Sequence, residues 1–336
     1  EVGAGDRGRW AADMKTSGLR QEVRCRCLMK HGFLLGVCVS MLISAGCGMR
    51  SKEQLRQIEQ IKRKAIEDPG SINMIEPSSG LTLLHLAVLN GFPDLVEWLL
   101  DRKADINGPN RSGETPLHAA MIFDHTPKST MVTLLLERGA DVNSRTPYGD
   151  TPLHRAVSAG RADKARLLLS HEADVNARAN RGESPLHYVC REGSERIQNT
   201  VKQEDLEHSV KVLLQFHADI DTKDSIGATP LHGAVMIGNE DMVRCLIEQG
   251  ADIKATNQRG DTPLHYAAMF GRSREAEMLL ANGCSAVATN NEGMTPLDIA
   301  QFKPAISYDS KGNHPVDVTE VMVVLRTYAA KEEPNR

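Results

Sequence analysis

The sequence predicts an all-α solenoid of stacked helix–turn–helix units, and three observations predict it. A glycine standing just before a TPLH-like tetrad recurs at Gly80, Gly113, Gly149, Gly182, Gly227, Gly260 and Gly293, with spacings of 33, 36, 33, 45, 33 and 33 residues. A second signature (KADIN, GADVN, EADVN, HADID, GADIK, GCSAV) closes successive units. Between the two lie a pair of short apolar stripes at helical spacing. The second stripe is the stronger, as in Leu95, Val96, Leu99 and Leu100, or Met242, Val243, Leu246 and Ile247. Self-similarity at a fixed period of this size marks a repeat array rather than two ordinary domains.

Each element of the unit has a physical reason. Thr, or Ser184, precedes the first helix as an N-cap whose oxygen takes an orphan backbone N–H. Proline at the first helical position loses no hydrogen bond, because its N–H would be unpaired there. Leucine begins the buried stripe. Gly91, Gly160, Gly193, Gly238 and Gly271 end the first helix. Gly139, Gly250 and Gly283 end the second, and Lys103, Glu172 and His217 occupy the equivalent place in three units, at up to about 1 kcal/mol each relative to glycine. One helix pair cannot bury its own apolar faces, so stability must come from stacking. The end units are atypical, as capping requires: Leu83 replaces proline in the first and Asp298 replaces histidine in the last. The units are read as 76–108, 109–144, 145–177, 178–222, 223–255, 256–288 and 289–330. A charged amphipathic capping helix falls in 53–75, and a short tail follows at 331–336.

These tetrads and closing signatures resemble the ankyrin repeat, and the resemblance covers about residues 76–330. It implies β-hairpin loops between helix pairs. It also implies that the tetrad histidines His85, His118, His154, His187, His232 and His265 are structural, each bonding to backbone of the adjacent repeat. One imidazole per layer is too sparse to share a metal ion, so no metal is expected. Proteins of this family usually bind through the hairpin tips and the exposed side of the first helices. Here the tip positions include Tyr148, Ile226 and Arg259. The first-helix positions include Ile122, Phe123, Arg155, Tyr188, Arg191, Met236, Ile237, Tyr266, Met269 and Phe270. Large apolar side chains the core does not need crowd repeats four to six, and an exposed patch of that kind marks a partner site. The alternative is that the long insertion folds back and covers it.

Three units exceed the period, with extra residues near 124–130, 194–207 and 304–317, all between the two helices of their repeat. They are expected on one edge of the solenoid, as drift in exposed turns or as partner contacts.

The front of the chain is different. Residues 1–46 read as a leader. Within 29–46, Lys30 and His31 precede an uncharged apolar run from Gly32 to Ile43, then small residues Ser44, Ala45 and Gly46. That is the layout of a secretory signal, too short to span a bilayer. Translation is expected to begin at Met29, leaving 1–28 as upstream sequence. The run ISAGC resembles the lipobox of bacterial lipoproteins, although that family prefers leucine where Ser44 stands. The resemblance implies that Cys47 is acylated through its thiol and becomes the mature N-terminus, with 47–52 as a tether to an envelope membrane. Gly48 at the next position favours the outer membrane, facing the periplasm or the cell surface.

Composition bounds the rest. The chain is 40% hydrophobic and 25% charged, which suits a folded domain. Beyond residue 46, 33 basic side chains face 40 acidic ones, which leaves no electrostatic footprint for nucleic acid. No CxxC pair survives there, so Cys190, Cys245 and Cys284 read as small hydrophobes. There is no phosphate-binding loop, no GxSxG and no recurring nucleophile–base pair, so no catalytic residue, cofactor or small-molecule substrate is expected. A hydrolase hidden in the insertions would need clustered titratable residues with shifted pKa, for example around His208 or His314. The expected partner is another protein, held by a scaffold or, alternatively, by an inhibitor or immunity-like protein that neutralises one envelope enzyme or toxin.

Overall fold

The computed structural model describes residues 52–123, 130–191, 201–302, 306–309, 312–315 and 317–332. The signal segment, Cys47 and most of the tether lie outside them, as do parts of the three insertions. The chain enters through α1 (Lys52–Glu67), whose Ile58, Ile61 and Ala65 are buried at helical spacing while Arg56, Arg63 and Lys64 face solvent. A 3-10 turn at Pro69–Asn73, capped by Asp68, adds Ile72 to the core.

Among the described residues, seven helix pairs follow. The inner row is α2 (Leu83–Leu89), α4 (Pro116–Phe123), α6 (Pro152–Ser158), α8 (Pro185–Arg191), α10 (Pro230–Ile237), α12 (Pro263–Met269) and α14 (Pro296–Phe302). The outer row is α3 (Pro93–Leu100), α5 (Thr130–Glu137), α7 (Ala162–Ser170), α9 (Gln203–Gln215), α11 (Glu240–Glu248), α13 (Ser273–Ala281) and α15 (Thr319–Glu332). Each inner helix packs on the next inner helix, and on its own outer helix. One apolar cluster therefore runs unbroken from Ile58 to Leu325. Leu117, Leu135, Leu168, Leu213, Leu246 and Leu279 are wholly buried in it, each contributing about 1.5–3 kcal/mol. Trp98 of α3 lies between Lys62 of α1 and Arg102, so the first helix is held to the outer row as well as to the core. No helix among the described residues is long and apolar enough to cross a membrane.

The loops are tied to one another by an amide ladder. Asn73 Oδ1 accepts the Asp105 N–H at 2.7 Å, Asn107 accepts Asp141, Asn143 accepts Asp174, Asn176 accepts Asp219, and Asp221 accepts Asp252. Within each loop the aspartate takes the N–H two residues on, as Asp105 does from Asn107 at 2.9 Å. This explains the recurring A-D-x-N: both polar side chains are spent on backbone. Lys254 cannot accept, and the ladder stops there. Beyond it the closing helix takes over, with the Glu332 carboxylate accepting from Ser285 Oγ and the Ala286 N–H at 2.7 and 2.8 Å.

Lys103, Glu172 and His217 adopt φ of 69°, 66° and 63°, the conformation their glycine counterparts hold. In the second unit no glycine follows the inner helix. There Lys164 of α7, itself buried, donates to the carbonyls of Ala120 and Met121 at 2.7 and 3.0 Å and closes the end of α4. The described part of the second insertion extends α9. Val201 and Asp205 line the space beside Gly160 of the preceding turn, and Gln203 accepts from Asn239 of the following one at 3.1 Å. The third insertion carries an antiparallel hairpin, β1 (Ile306–Asp309) with β2 (Gly312–Pro315), pairing Ile306 with Pro315 and Asp309 with Gly312.

Candidate functional site

The tetrad histidines set the frame on which the surface is built. Nε2 of each donates to a backbone carbonyl one repeat on: His85 to Glu114 at 2.9 Å, His118 to Asp150, His154 to Glu183, His187 to Ala228, His232 to Asp261 and His265 to Met294 at 3.1 Å. A carbonyl only accepts, so Nε2 carries the proton and Nδ1 accepts. The Nδ1 partner is the cap residue of the same helix, through its hydroxyl in every case (2.7 Å for Thr82, 2.9 Å for Thr229). In five of the six the cap residue's backbone N–H donates to Nδ1 as well. Both ring nitrogens are therefore spent on the scaffold. Burial holds the rings neutral, lowering His85, His154 and His232 to about 4 and the other three in the same direction. Asp298 keeps the near half of this motif, accepting from Thr295 N and Oγ1 at 2.9 and 2.6 Å, and reaches no further unit.

On this frame the inner helices present a row of mixed chemistry. Arg155 pairs with Glu114 at 2.9 Å and with buried Asp150 at 3.6 Å. The Tyr188 hydroxyl donates to the same Asp150, and its ring stands edge-on to His154 at 4.7 Å. Arg191 pairs with buried Glu183 and crosses Gly233, where a β-carbon would meet its Cγ at 3.1 Å. Tyr266 stands edge-on to His232 at 5.0 Å, leans on Phe270 at 6.0 Å, and its hydroxyl accepts from Asn257 at 3.3 Å. Arg272 closes the end of α10 by donating twice to the Met236 carbonyl, at 3.2 and 3.1 Å.

The structure therefore divides the predicted residues into groups. Tyr188, Met236, Ile237, Tyr266, Met269 and Phe270 are each half-buried, neither open nor core. Tyr266 and Phe270 are brought together. Tyr188 joins Arg155 instead, through Asp150, and the glycine at 233 with Arg191 across it separates the two tyrosines. Ile122 is half-buried in the second unit, away from that group, and the Phe123 side chain lies outside the described residues. Tyr148 and Ile226 project from the loop tips, 71% and 54% exposed, and Arg259 is exposed at the tip of the sixth unit. His208 is exposed on α9, and no metal-binding cluster occurs among the described residues.

Sequence reasoning missed Asp150, Glu183 and Asp261, the buried acids that organise this face. A signal was available: the residue before the tetrad is acidic at Glu114, Asp150, Glu183 and Asp261. It also missed Gly233, Lys164 and Arg272, whose roles depend on what lies one repeat away.

A family model described as ankyrin repeats (3 copies) matches residues 38–146, 127–203, 197–290 and 249–305. Among solved structures the chain is similar to the ankyrin repeat domain of Bcl-3, a member of the IkappaB protein family. The identity is 27% and the TM-score 0.56, over 74% of this chain and 99% of that one. The comparison with curated proteins returns no match.

Proposed function

We infer function from the premise that this chain belongs to the ankyrin-repeat family, whose solenoids typically act as non-enzymatic protein-interaction scaffolds. This chain is a protein-binding scaffold, and its partner is held by the inner helices and loop tips of the third to sixth units. The observation that carries the reading is the pair of apolar side chains, Tyr148 and Ile226, projecting from loops that the histidine lattice and the amide ladder tie to the preceding repeat. An apolar group held in water by a stiff support is preorganised for contact, so little further ordering cost falls on binding.

The finer part of the proposal is its place. The chain is a lipoprotein of a bacterial envelope, tethered by an acylated Cys47 only a few residues ahead of α1. Support comes from the uncharged run from Gly32 to Ile43 and the small residues before that cysteine. A tether this short would hold the first repeat near the bilayer and leave the later units free to face a partner. An inhibitor or immunity-like role, with one tight partner, is the second reading of the same surface.

Two measurements test this. Mass spectrometry of the membrane fraction should find a mature N-terminus at acylated Cys47; an unmodified peptide spanning Gly46–Cys47 would overturn the tether. Affinity capture from envelope extracts should retain a defined protein on the wild-type chain. One stoichiometric partner favours the inhibitor reading, and several exchanging partners favour the scaffold.

A further inference from the structure

The loop tips of the third to sixth units segregate charge by sign. Their carboxylates turn inward. Asp150 is buried beneath Tyr188 and Arg155, Glu183 is buried against Arg191, and Asp261 is buried, accepting from Asn290 at 2.7 Å. Asp224 folds back on its own loop, accepting the Ile226 and Ala228 N–H groups at 2.9 Å. Asp141, Asp174, Asp219 and Asp252 are exposed, but they sit at the foot of the loops rather than at the tips, each bonded to backbone two residues on.

The cations turn outward, and three of them reach the next loop. Arg145 donates to the Arg178 carbonyl, Arg178 to the Lys223 carbonyl, and Lys223 Nζ to the Thr256 carbonyl at 2.9 Å. They are held by carbonyl dipoles rather than by counter-ions. Arg181 and Arg259 stand exposed at the tips themselves. Among the described residues none of these five forms an ion pair. A chain whose net charge is negative thus carries a row of five cations along one edge, three of them held by carbonyls.

Apolar groups interrupt the row at regular steps. The order along the tips is Tyr148, Arg181, Ile226, Arg259, with adjacent loops joined by Asn180 N–H to Tyr148 O and Ser225 N–H to Arg181 O, both at 2.9 Å, and Gln258 N–H to Ile226 O at 3.0 Å. Helix packing sets successive tips about 10 Å apart. We infer that this edge docks an acidic protein segment whose apolar side chains alternate with carboxylates, laid across the four tips. The inference rests on the scaffold reading and names the chemistry of its partner. Charge complementarity carries it: Arg145, Arg178 and Lys223 are already oriented by carbonyls, and among the described residues none of the five cations has a counter-ion, so a carboxylate arriving there breaks no existing ion pair. A nucleic acid fits less well. Tyr148 and Ile226 would meet a charged backbone, and the acidic remainder of the chain repels a polyanion at long range.

The test uses the full chain and a fluorescein-labelled peptide alternating Glu or Asp with Leu or Tyr, long enough to span about 30 Å, roughly ten extended residues. Fluorescence anisotropy should show binding that weakens about tenfold between roughly 0.05 and 0.3 M salt. The same peptide with Gln and Asn for its acids should bind at least about tenfold more weakly. Arg181→Glu with Arg259→Glu should lower affinity for the acidic peptide at least about tenfold. Tyr148→Ser with Ile226→Ser should lower it about fivefold or more. Neither pair should change the melting temperature, because all four side chains are exposed. Equal binding of acidic and neutral peptides, indifference to the arginine pair, or tighter binding of a single-stranded oligonucleotide overturns the inference. Failure of the scaffold reading is distinct. A partner captured equally by the wild-type and arginine-pair chains overturns only the acidic-segment inference, whereas no capture by the wild-type chain overturns the scaffold itself.

Discussion

Acidification should dismantle this solenoid from inside, because its layers are joined through imidazoles that burial keeps neutral. His85, His154 and His232 have folded values near 4, against 6.5 for a free imidazole, and desolvation is the leading cause in each. The unfolded chain binds protons on these rings once pH falls below about 6.5, while the folded chain does so only near 4. Their stabilising contribution is therefore whole above that range and is lost as pH falls through it. Integrated from about pH 7.5 to about pH 5, the loss is near 2 kcal/mol per ring, or about 6 kcal/mol for the three. His118, His187 and His265 act in the same direction. Asp221 and Glu275 oppose it, since burial raises both. They are two groups against six, and Asp221 is partly open to solvent, so the sum keeps its sign. A loss of this size is a large share of a typical folding free energy of about 5–15 kcal/mol. The assay is urea unfolding followed by circular dichroism across that pH interval. With a slope of about 3 kcal/mol per molar, the midpoint should fall by about 2 M. His232→Gln should be less stable near neutrality yet lose about 2 kcal/mol less on acidification. A midpoint that moves by less than about 0.3 M would refute the neutral, buried assignment of these rings.

Other perturbations test single contacts. Lys164→Met should cost about 1–3 kcal/mol, because it strips the donors from the Ala120 and Met121 carbonyls, and hydrogen exchange should quicken at the end of α4 first. Gly149→Ala should cost well over the roughly 1 kcal/mol that its positive φ alone predicts, because the new β-carbon would sit 2.8 Å from Asn180 N and break the tip-to-tip bond. Gly250→Ala, at φ 88° with open space around it, should cost only that backbone increment; equal thermal shifts for the two would contradict the close-approach argument. Replacing Lys103, Glu172 or His217 with glycine should raise the melting temperature, each relieving up to about 1 kcal/mol of left-handed strain. A fall in all three would mean that those side chains carry contacts of their own.

The candidate surface was only partly legible from sequence. Tyr148 and Ile226 are exposed at tips that the repeat register locates, and a register argument needs nothing beyond the chain itself. Tyr188 and Tyr266 occupy the same position of their units, yet one is tied to Asp150 and the other to Asn257 and Phe270. That difference is set by residues 38 and 9 positions away, and no local pattern reports it. The hairpin Ile306–Asp309 with Gly312–Pro315 was likewise unforeseen, since four-residue strands leave almost no periodicity to read.

What the sequence determined by itself is the unit: its caps, its two stripes, its turn glycines and the three positions where a larger residue stands in a left-handed turn. These follow from backbone preferences and side-chain periods that act within a few residues. What only the tertiary structure decided is the chemistry between units. Lys164 closing a helix three elements away, Arg191 filling the space that Gly233 leaves open, and arginines bracing the next loop all depend on stacking. Stacking brings together residues some thirty or more positions apart, and it alone determines whether a charge is spent on the scaffold or left facing a partner.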